Sequence, residues 1–146
     1  MMWDSKGGVY MYIYVPKGSE KYQKPPELRQ VSAEGDAGIS VFRDSFPNAL
    51  AKGAWHNIQM GMTLNTFEPA KWHTIDGKRV RQPKADGVLY LRTWGHEHRL
   101  DGVILRLFPQ FTIDNFIFNV FHGGGCTASK KMNMSIGNVA LFDWTP

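Results

Sequence analysis

Apolar and polar residues alternate without a break over residues 9–15, between a pair of glycines and Pro16. Successive side chains of a β-strand point to opposite faces of the sheet, so this alternation predicts a strand with two different faces. The face predicted to fill a core is aliphatic and consists of Val9, Met11, Ile13 and Val15. The opposite face carries three phenols, at Tyr10, Tyr12 and Tyr14.

A row of phenols on one face of a strand indicates a carbohydrate surface. An aromatic ring stacks on the C–H face of a sugar, while its hydroxyl donates, accepts or transfers a proton. The same row is also typical of an aromatic ladder that only stiffens a sheet. This stretch alone is compatible with both interpretations.

Further period-two patterns predict strands over residues 39–43, 55–65, 88–94, 103–108, 113–122 and 134–144. Residues 17–26 and 66–87 are rich in turn-forming residues and are predicted to be loops, and residues 27–37 are polar without a clear period. At most one helical turn is predicted, over residues 48–52. Short strands separated by turn signals are typical of an all-β sandwich or barrel.

The strand predicted over residues 55–65 also has two faces. Its polar face consists of Asn57, Gln59, Gly61 and Thr63. Because glycine leaves room close to the backbone, one interpretation of this face is the floor of a ligand groove. The other interpretation is the solvent-facing surface of an antiparallel sheet.

Length and charge narrow the classes of function. A chain of 146 residues predicts a single domain over residues 1–146. The net charge of +4 favours an anionic partner, but the Lys and Arg residues are dispersed, so no nucleic acid is expected. No apolar run reaches transmembrane length, so no membrane partner is expected. The single Cys126 excludes an intrachain disulfide, and the compartment and oligomeric state stay open.

The sequence contains two short stretches that share residues with metal or phosphate motifs. His96-Glu97-His98 contains ligands that bind zinc, but Gly95 predicts a turn there and no third ligand is evident. Gly123-Gly124-Gly125 lacks the following helix and lysine of a phosphate loop. We therefore expect no metal and no cofactor.

The order of several short motifs resembles polysaccharide lyase family 14. The motifs are Tyr12-x-Tyr14-Val15-Pro16, Ile39-Ser40-Val41-Phe42-Arg43-Asp44-Ser45-Phe46, Trp55-His56-Asn57-Ile58, Leu64-Asn65, Asp86-Gly87-Val88-Leu89, Arg106 and Phe121-His122-Gly123-Gly124. The resemblance extends over most of the chain, and the order and spacing of the motifs carry it. It implies a β-jelly-roll sandwich of antiparallel strands that cleaves a polyuronate, alginate or glucuronan, by β-elimination.

The resemblance also implies a catalytic pair, Tyr12 and Tyr14. The family further uses a lysine, and an arginine close to a serine, on strands that precede this pair. The chain is expected to begin after the lysine, and Asp4 stands where the arginine is expected. These departures favour an alternative function, a non-catalytic carbohydrate-binding module on the same scaffold. A basic structural or nucleic-acid-associated β protein is a third class.

β-Elimination requires neutralisation of the uronate carboxylate, a base for the C5 proton and an acid for the departing O4. Tyrosine has an ordinary pKa near 10, so it acts as a base only where positive charge stabilises the phenolate. The predicted concave sheet carries the three phenols together with two amides as neutral donors. The residues predicted to bind an acidic polysaccharide are Tyr10, Arg43, Asn57, Gln59, Arg106 and His122.

Overall fold

The computed structural model describes residues 2–3, 7–34, 38–46, 49–51, 53–75, 77–93, 95–113, 136–137 and 139–141. The chain divides into two compact units, residues 1–112 and residues 113–146. All the secondary structure described lies in the first unit. The single domain over residues 1–146 stays a prediction.

Eight strands and one helix form in the part of the chain that the structure describes. In chain order they are β1 (Met2–Trp3), β2 (Val9–Tyr14), α1 (Pro26–Glu34), β3 (Gly38–Val41), β4 (Gln59–Thr63), β5 (Phe67–Ile75), β6 (Lys78–Pro83), β7 (Gly87–Thr93) and β8 (His96–Val103). They make three sheets, with strand orders β1-β2-β3, β4-β7-β8 and β5-β6. Every strand pair is antiparallel, so the prediction of an all-β antiparallel fold is confirmed.

The core forms between the two three-stranded sheets. Val9 and Met11 on β2 are buried in one apolar cluster with Leu89 and Leu91 on β7. Full burial of such a side chain contributes about 1.5–3 kcal/mol, so this cluster is the main attachment between the sheets. Other buried members of the cluster are Val15, Leu28, Val41, Phe46 and Val103.

Because both sheets turn their apolar faces to one core, their remaining faces point away from each other. On the first sheet this outward face consists of Tyr10, Tyr12, Tyr14 and Ser40, and is called here the tyrosine face. On the second sheet the strand partners Gln59, Arg92 and Glu97 share an outward face, since Leu91 beside Arg92 is buried in the core. The sandwich therefore has two separate outward surfaces.

Two buried amides replace a strand partner after β8. The Gln23 side chain accepts from the Ile104 N–H at 2.8 Å and donates to the Ile104 carbonyl at 2.9 Å. The Asn65 side chain accepts from the N–H groups of Leu105 and Arg106, each at 2.9 Å. The strand predicted over residues 103–108 is therefore wrong beyond Val103, because side chains satisfy this backbone where a neighbouring strand was expected.

Two further predictions of local structure are corrected. The β5–β6 hairpin lies within the loop predicted over residues 66–87, and its turn is at Gly77, whose φ of 74° suits glycine. The helix that the structure describes is α1, whereas the described residues 49–51 of the helical turn predicted over residues 48–52 are not helical. Pro26 suits its first position, and Leu28 is fully buried against the core.

The strands predicted over residues 113–122 and 134–144 lie mostly outside the described residues. Residues 113, 136–137 and 139–141 are described and have no regular secondary structure.

Candidate active site

Tyr12 and Tyr14 lie side by side on the tyrosine face, as the alternation predicts. β3 pairs with this part of β2, with Tyr12 opposite Ser40 and Tyr14 opposite Gly38. The two rings meet edge to face, with centroids 5.4 Å apart and planes at 83°. Tyr12 is 40% exposed and Tyr14 is 66% exposed, so both side chains are accessible from solvent.

Gly38 determines where the Tyr12 ring lies. A Cβ atom at position 38 would lie 2.2 Å from Tyr12 Cε1 and 2.7 Å from its hydroxyl oxygen, so the ring lies directly over the glycine. Gly38 is a positioning residue that was not among the predicted site residues. The signal for it was a glycine at the start of the strand predicted from residue 39, on the face shared with Ser40.

Tyr10, the third phenol of the row, is only 9% exposed. The Arg43 guanidinium carbon lies 5.5 Å from its ring centroid, a cation–π contact. Phe42, just before Arg43, has a φ of 65°, a left-handed conformation that is uncommon for a bulky residue. The chain thus bends sharply after β3, and Arg43 lies over the Tyr10 ring of the tyrosine face. Tyr10 is a covered neighbour of the exposed pair.

Asn57 and Gln59 do not lie on the tyrosine face. They are exposed and line a shallow depression with Arg92, Thr93 and Gly95, on the second sheet. The prediction of one concave sheet that carries the phenols and both amides is therefore not what the structure shows. The space expected over Gly61 is also filled, because a Cβ there would lie 1.9 Å from the Tyr90 ring.

Arg106 is engaged with the backbone. Its Nε donates to the Asn65 carbonyl at 3.1 Å, and its Nη1 donates to the carbonyls of Pro109 at 3.2 Å and Phe111 at 2.7 Å. A guanidinium group with these donors in use holds a turn together and has less to offer a substrate carboxylate. His122, the last predicted binding residue, lies outside the described residues.

His96 and His98 lie on β8 and are exposed, so the turn predicted at Gly95 is followed at once by a strand. The His98 ring packs edge-on against Phe46, with centroids 4.8 Å apart. Within the described residues, no group of three His, Cys, Asp or Glu side chains is placed to hold a metal ion. In the same part of the chain, no helix has the length and apolar character needed to span a membrane.

Comparison with known proteins identifies the scaffold. The family model for Polysaccharide lyase 14 matches residues 1–134. The chain belongs to the polysaccharide lyase 14 family. The resemblance predicted from the motifs is therefore confirmed.

Two relatives of this polysaccharide lyase 14 chain are both viral. It is 29% identical over 144 residues, 95% of its length, to a protein named Exolysin from Paramecium bursaria Chlorella virus 1. It is also similar to the crystal structure of alginate lyase vAL-1 from Chlorella virus, with a TM-score of 0.57 and 32% identity over 73% of the chain. This likeness confirms the predicted jelly-roll class. The chain spans 19% of Exolysin and 37% of the alginate lyase chain.

Proposed function

We propose that this chain cleaves an acidic polysaccharide, alginate or glucuronan, by β-elimination, with Tyr12 and Tyr14 as the acid–base pair. The observation that carries the proposal is the exposed, edge-to-face pair of phenols on the tyrosine face of a polysaccharide lyase 14 chain. The similar viral structure is that of an alginate lyase, which supports the substrate class.

The reaction breaks two bonds and forms a double bond. A phenolate takes the C5 proton, the C5–H electron pair becomes the C4=C5 bond, and the C4–O4 pair leaves with O4. The second phenol then protonates O4, so charge and protons balance. Centroids 5.4 Å apart allow Tyr12 and Tyr14 to contact one glycosidic linkage together.

Arg43 is the cation proposed to assist the pair. Tyr10, whose ring it covers, lies two residues from Tyr12 on the same face, about 7 Å away by strand rise. A guanidinium at this place attracts the uronate carboxylate, whose neutralisation the elimination requires. Arg106 is a weaker candidate, because its donors are engaged with carbonyls.

The test is the absorbance of the unsaturated product, which has a double bond conjugated with the carboxylate. General acid–base groups contribute about 10²–10⁴-fold, so Tyr12→Phe or Tyr14→Phe should lower kcat by at least about 10²-fold while binding persists. Tyr90→Phe is the matched control, since Tyr90 also lies over a glycine but on the second sheet. Full activity in both variants at positions 12 and 14 would show that the assignment is wrong.

The second candidate function is a non-catalytic carbohydrate-binding module. It is favoured by Asp4, which stands where the family resemblance places an arginine. Binding of a polyuronate by the wild-type chain without any gain in absorbance would establish this function in place of the lyase.

A further inference from the structure

The β5–β6 hairpin has one face that points outward. Trp72 pairs with Arg81 and Thr74 with Arg79, so these four residues share a face, called here the tryptophan face. The other face packs inward through His73, whose Nδ1 is hydrogen-bonded to the Tyr22 hydroxyl at 2.5 Å. Trp72 remains 46% exposed.

Both arginines of this face stack on the same indole. The guanidinium carbons of Arg79 and Arg81 lie 5.0 and 4.9 Å from the Trp72 ring centroid. A stacked guanidinium group uses its flat side for the ring and keeps its N–H edges for other partners. The indole therefore holds two donor forks in place without engaging them.

The charges of these arginines are not neutralised within the part of the chain that the structure describes. No described carboxylate lies within ion-pair distance of Arg79 or Arg81, whereas Arg92 pairs with Glu97 at 3.9 Å and Arg99 with Asp101 at 2.9 Å. Residues 67–83 contain four Lys or Arg and two Asp or Glu, a formal charge of +2. Among the described residues, the tryptophan face is thus a basic, aromatic surface whose guanidinium groups have no carboxylate partner.

We propose that the tryptophan face is a second binding site for a carboxylate-bearing polysaccharide, separate from the tyrosine face. The Arg79 and Arg81 forks bind uronate carboxylates in bidentate fashion, and the exposed part of the indole contacts the C–H face of a sugar. The choice of ligand rests on the proposed function, whereas the residues of the site do not. The site retains the polymer and takes no part in the chemistry.

The experiment is calorimetric titration of the full chain with alginate and with polyglucuronate. It is done in the Tyr12→Phe/Tyr14→Phe background, so that no polymer is cleaved. Arg79→Gln/Arg81→Gln removes both forks and leaves the indole. We expect affinity to fall by about tenfold or more, as for desolvated anchor residues.

Lys71→Gln/Lys78→Gln is the matched control, because it removes the same charge from exposed positions of the same hairpin. It should weaken binding less than the arginine variant, whereas Arg79→Lys/Arg81→Lys should lose most of the affinity, since lysine lacks the fork. If Lys71→Gln/Lys78→Gln and Arg79→Gln/Arg81→Gln lower the affinity equally, the proposal is overturned in favour of unspecific polyanion attraction. A single-stranded DNA oligonucleotide that binds as tightly through the same arginines would also overturn it.

Trp72→Ala tests whether the indole holds the guanidinium groups of Arg79 and Arg81 in place. It should lower the affinity at least as much as Arg79→Gln/Arg81→Gln does. If its melting temperature shows that the hairpin has unfolded, the arginine variants decide, since they retain the ring. Absorbance in the wild type reports on the proposed function alone. Binding that depends on Arg79 and Arg81, without turnover in the wild type, supports this site and refutes the lyase function. Turnover in the wild type, with binding that does not depend on these arginines, supports the lyase function and refutes this site.

Discussion

Replacing Gly38 by alanine should displace the Tyr12 ring without harming the fold. The added Cβ would lie 2.2 Å from Tyr12 Cε1, and carbon atoms in contact lie about 3.5–4.0 Å apart. The ring must therefore move by roughly 1.3–1.8 Å from its place over Gly38. Because Gly38 is not in the left-handed region and Tyr12 is exposed on one side, the strand accepts alanine and the ring yields.

A displacement of this size should be costly for catalysis. Misplacement of a reacting group by about 1 Å can lower a rate by about 10²-fold, so Gly38→Ala should lower kcat by that order. The assay is the product absorbance, with circular dichroism melting to confirm that stability is retained. Tyr12→Phe/Gly38→Ala should be no worse than Tyr12→Phe alone, because both changes act through one phenol.

Gly61→Ala is the control with the same local geometry. Its Cβ would lie 1.9 Å from the Tyr90 ring, on the outward face of the second sheet. This variant should displace Tyr90 and leave turnover unchanged. If Gly38→Ala keeps full activity, or if both glycine variants lose it equally, the position of the Tyr12 ring does not control the reaction.

Two further predictions concern stability. Gln23→Ala leaves the buried N–H and carbonyl of Ile104 unpaired, so it should lower the free energy of unfolding by about 2–4 kcal/mol in urea titrations, whereas the exposed Gln110→Ala should change it little. Burial, and then the Lys21 ammonium, lower the pKa of His73 below its ordinary 6.5. The unfolded chain therefore binds this proton more readily than the folded chain does. The contribution of the neutral His73 to the free energy of unfolding is thus fully present above about pH 6.5 and is lost as the pH falls below that value. His73→Gln should flatten this acid loss of stability, and unchanged pH dependence in that variant, or equal flattening by the exposed His96→Gln, would contradict the assignment.

The strands that the sequence predicts best are those in which a strict alternation coincides with burial on one face. β2 is such a strand, since Val9 and Met11 are buried while Tyr12 and Tyr14 are exposed. β7 also follows its predicted range closely, because Leu89 and Leu91 fill the core. Alternation along the strand decides on which face each side chain lies, and burial of the apolar face then stabilises that orientation of the strand.

The β5–β6 hairpin was missed because neither of its faces is strongly apolar. Its outward face holds Trp72 with two arginines, and its inward face holds His73 beside aliphatic residues. Such a strand is stabilised by cross-strand pairs, here cation–π contacts, which a single segment does not reveal. Only the turn-forming residues of this segment were visible in advance, and one of them, Gly77, forms the turn of the hairpin.

The candidate site was predicted in part. That Tyr12 and Tyr14 share a face follows from their spacing within one strand, and their proposed role comes from the family resemblance. The grouping with Asn57 and Gln59 required knowing which sheets share a core. Their sheet faces away from the tyrosine face, a fact that depends on packing between distant segments. The engagement of Arg106 with backbone carbonyls likewise depends on Asn65, far away in sequence.

The buried amides of Gln23 and Asn65, which bind the segment after β8, also hinder the pairing of this segment with a second copy of the chain. Five of the six residues over 103–108 are apolar and none is proline, the composition of a segment that readily forms cross-β assemblies. In the folded chain, the amides of Gln23 and Asn65 engage backbone groups of residues 104–106 that a second copy would need for pairing. We therefore expect concentrated Gln23→Ala or Asn65→Ala protein to form fibrils under conditions in which the wild type stays monodisperse.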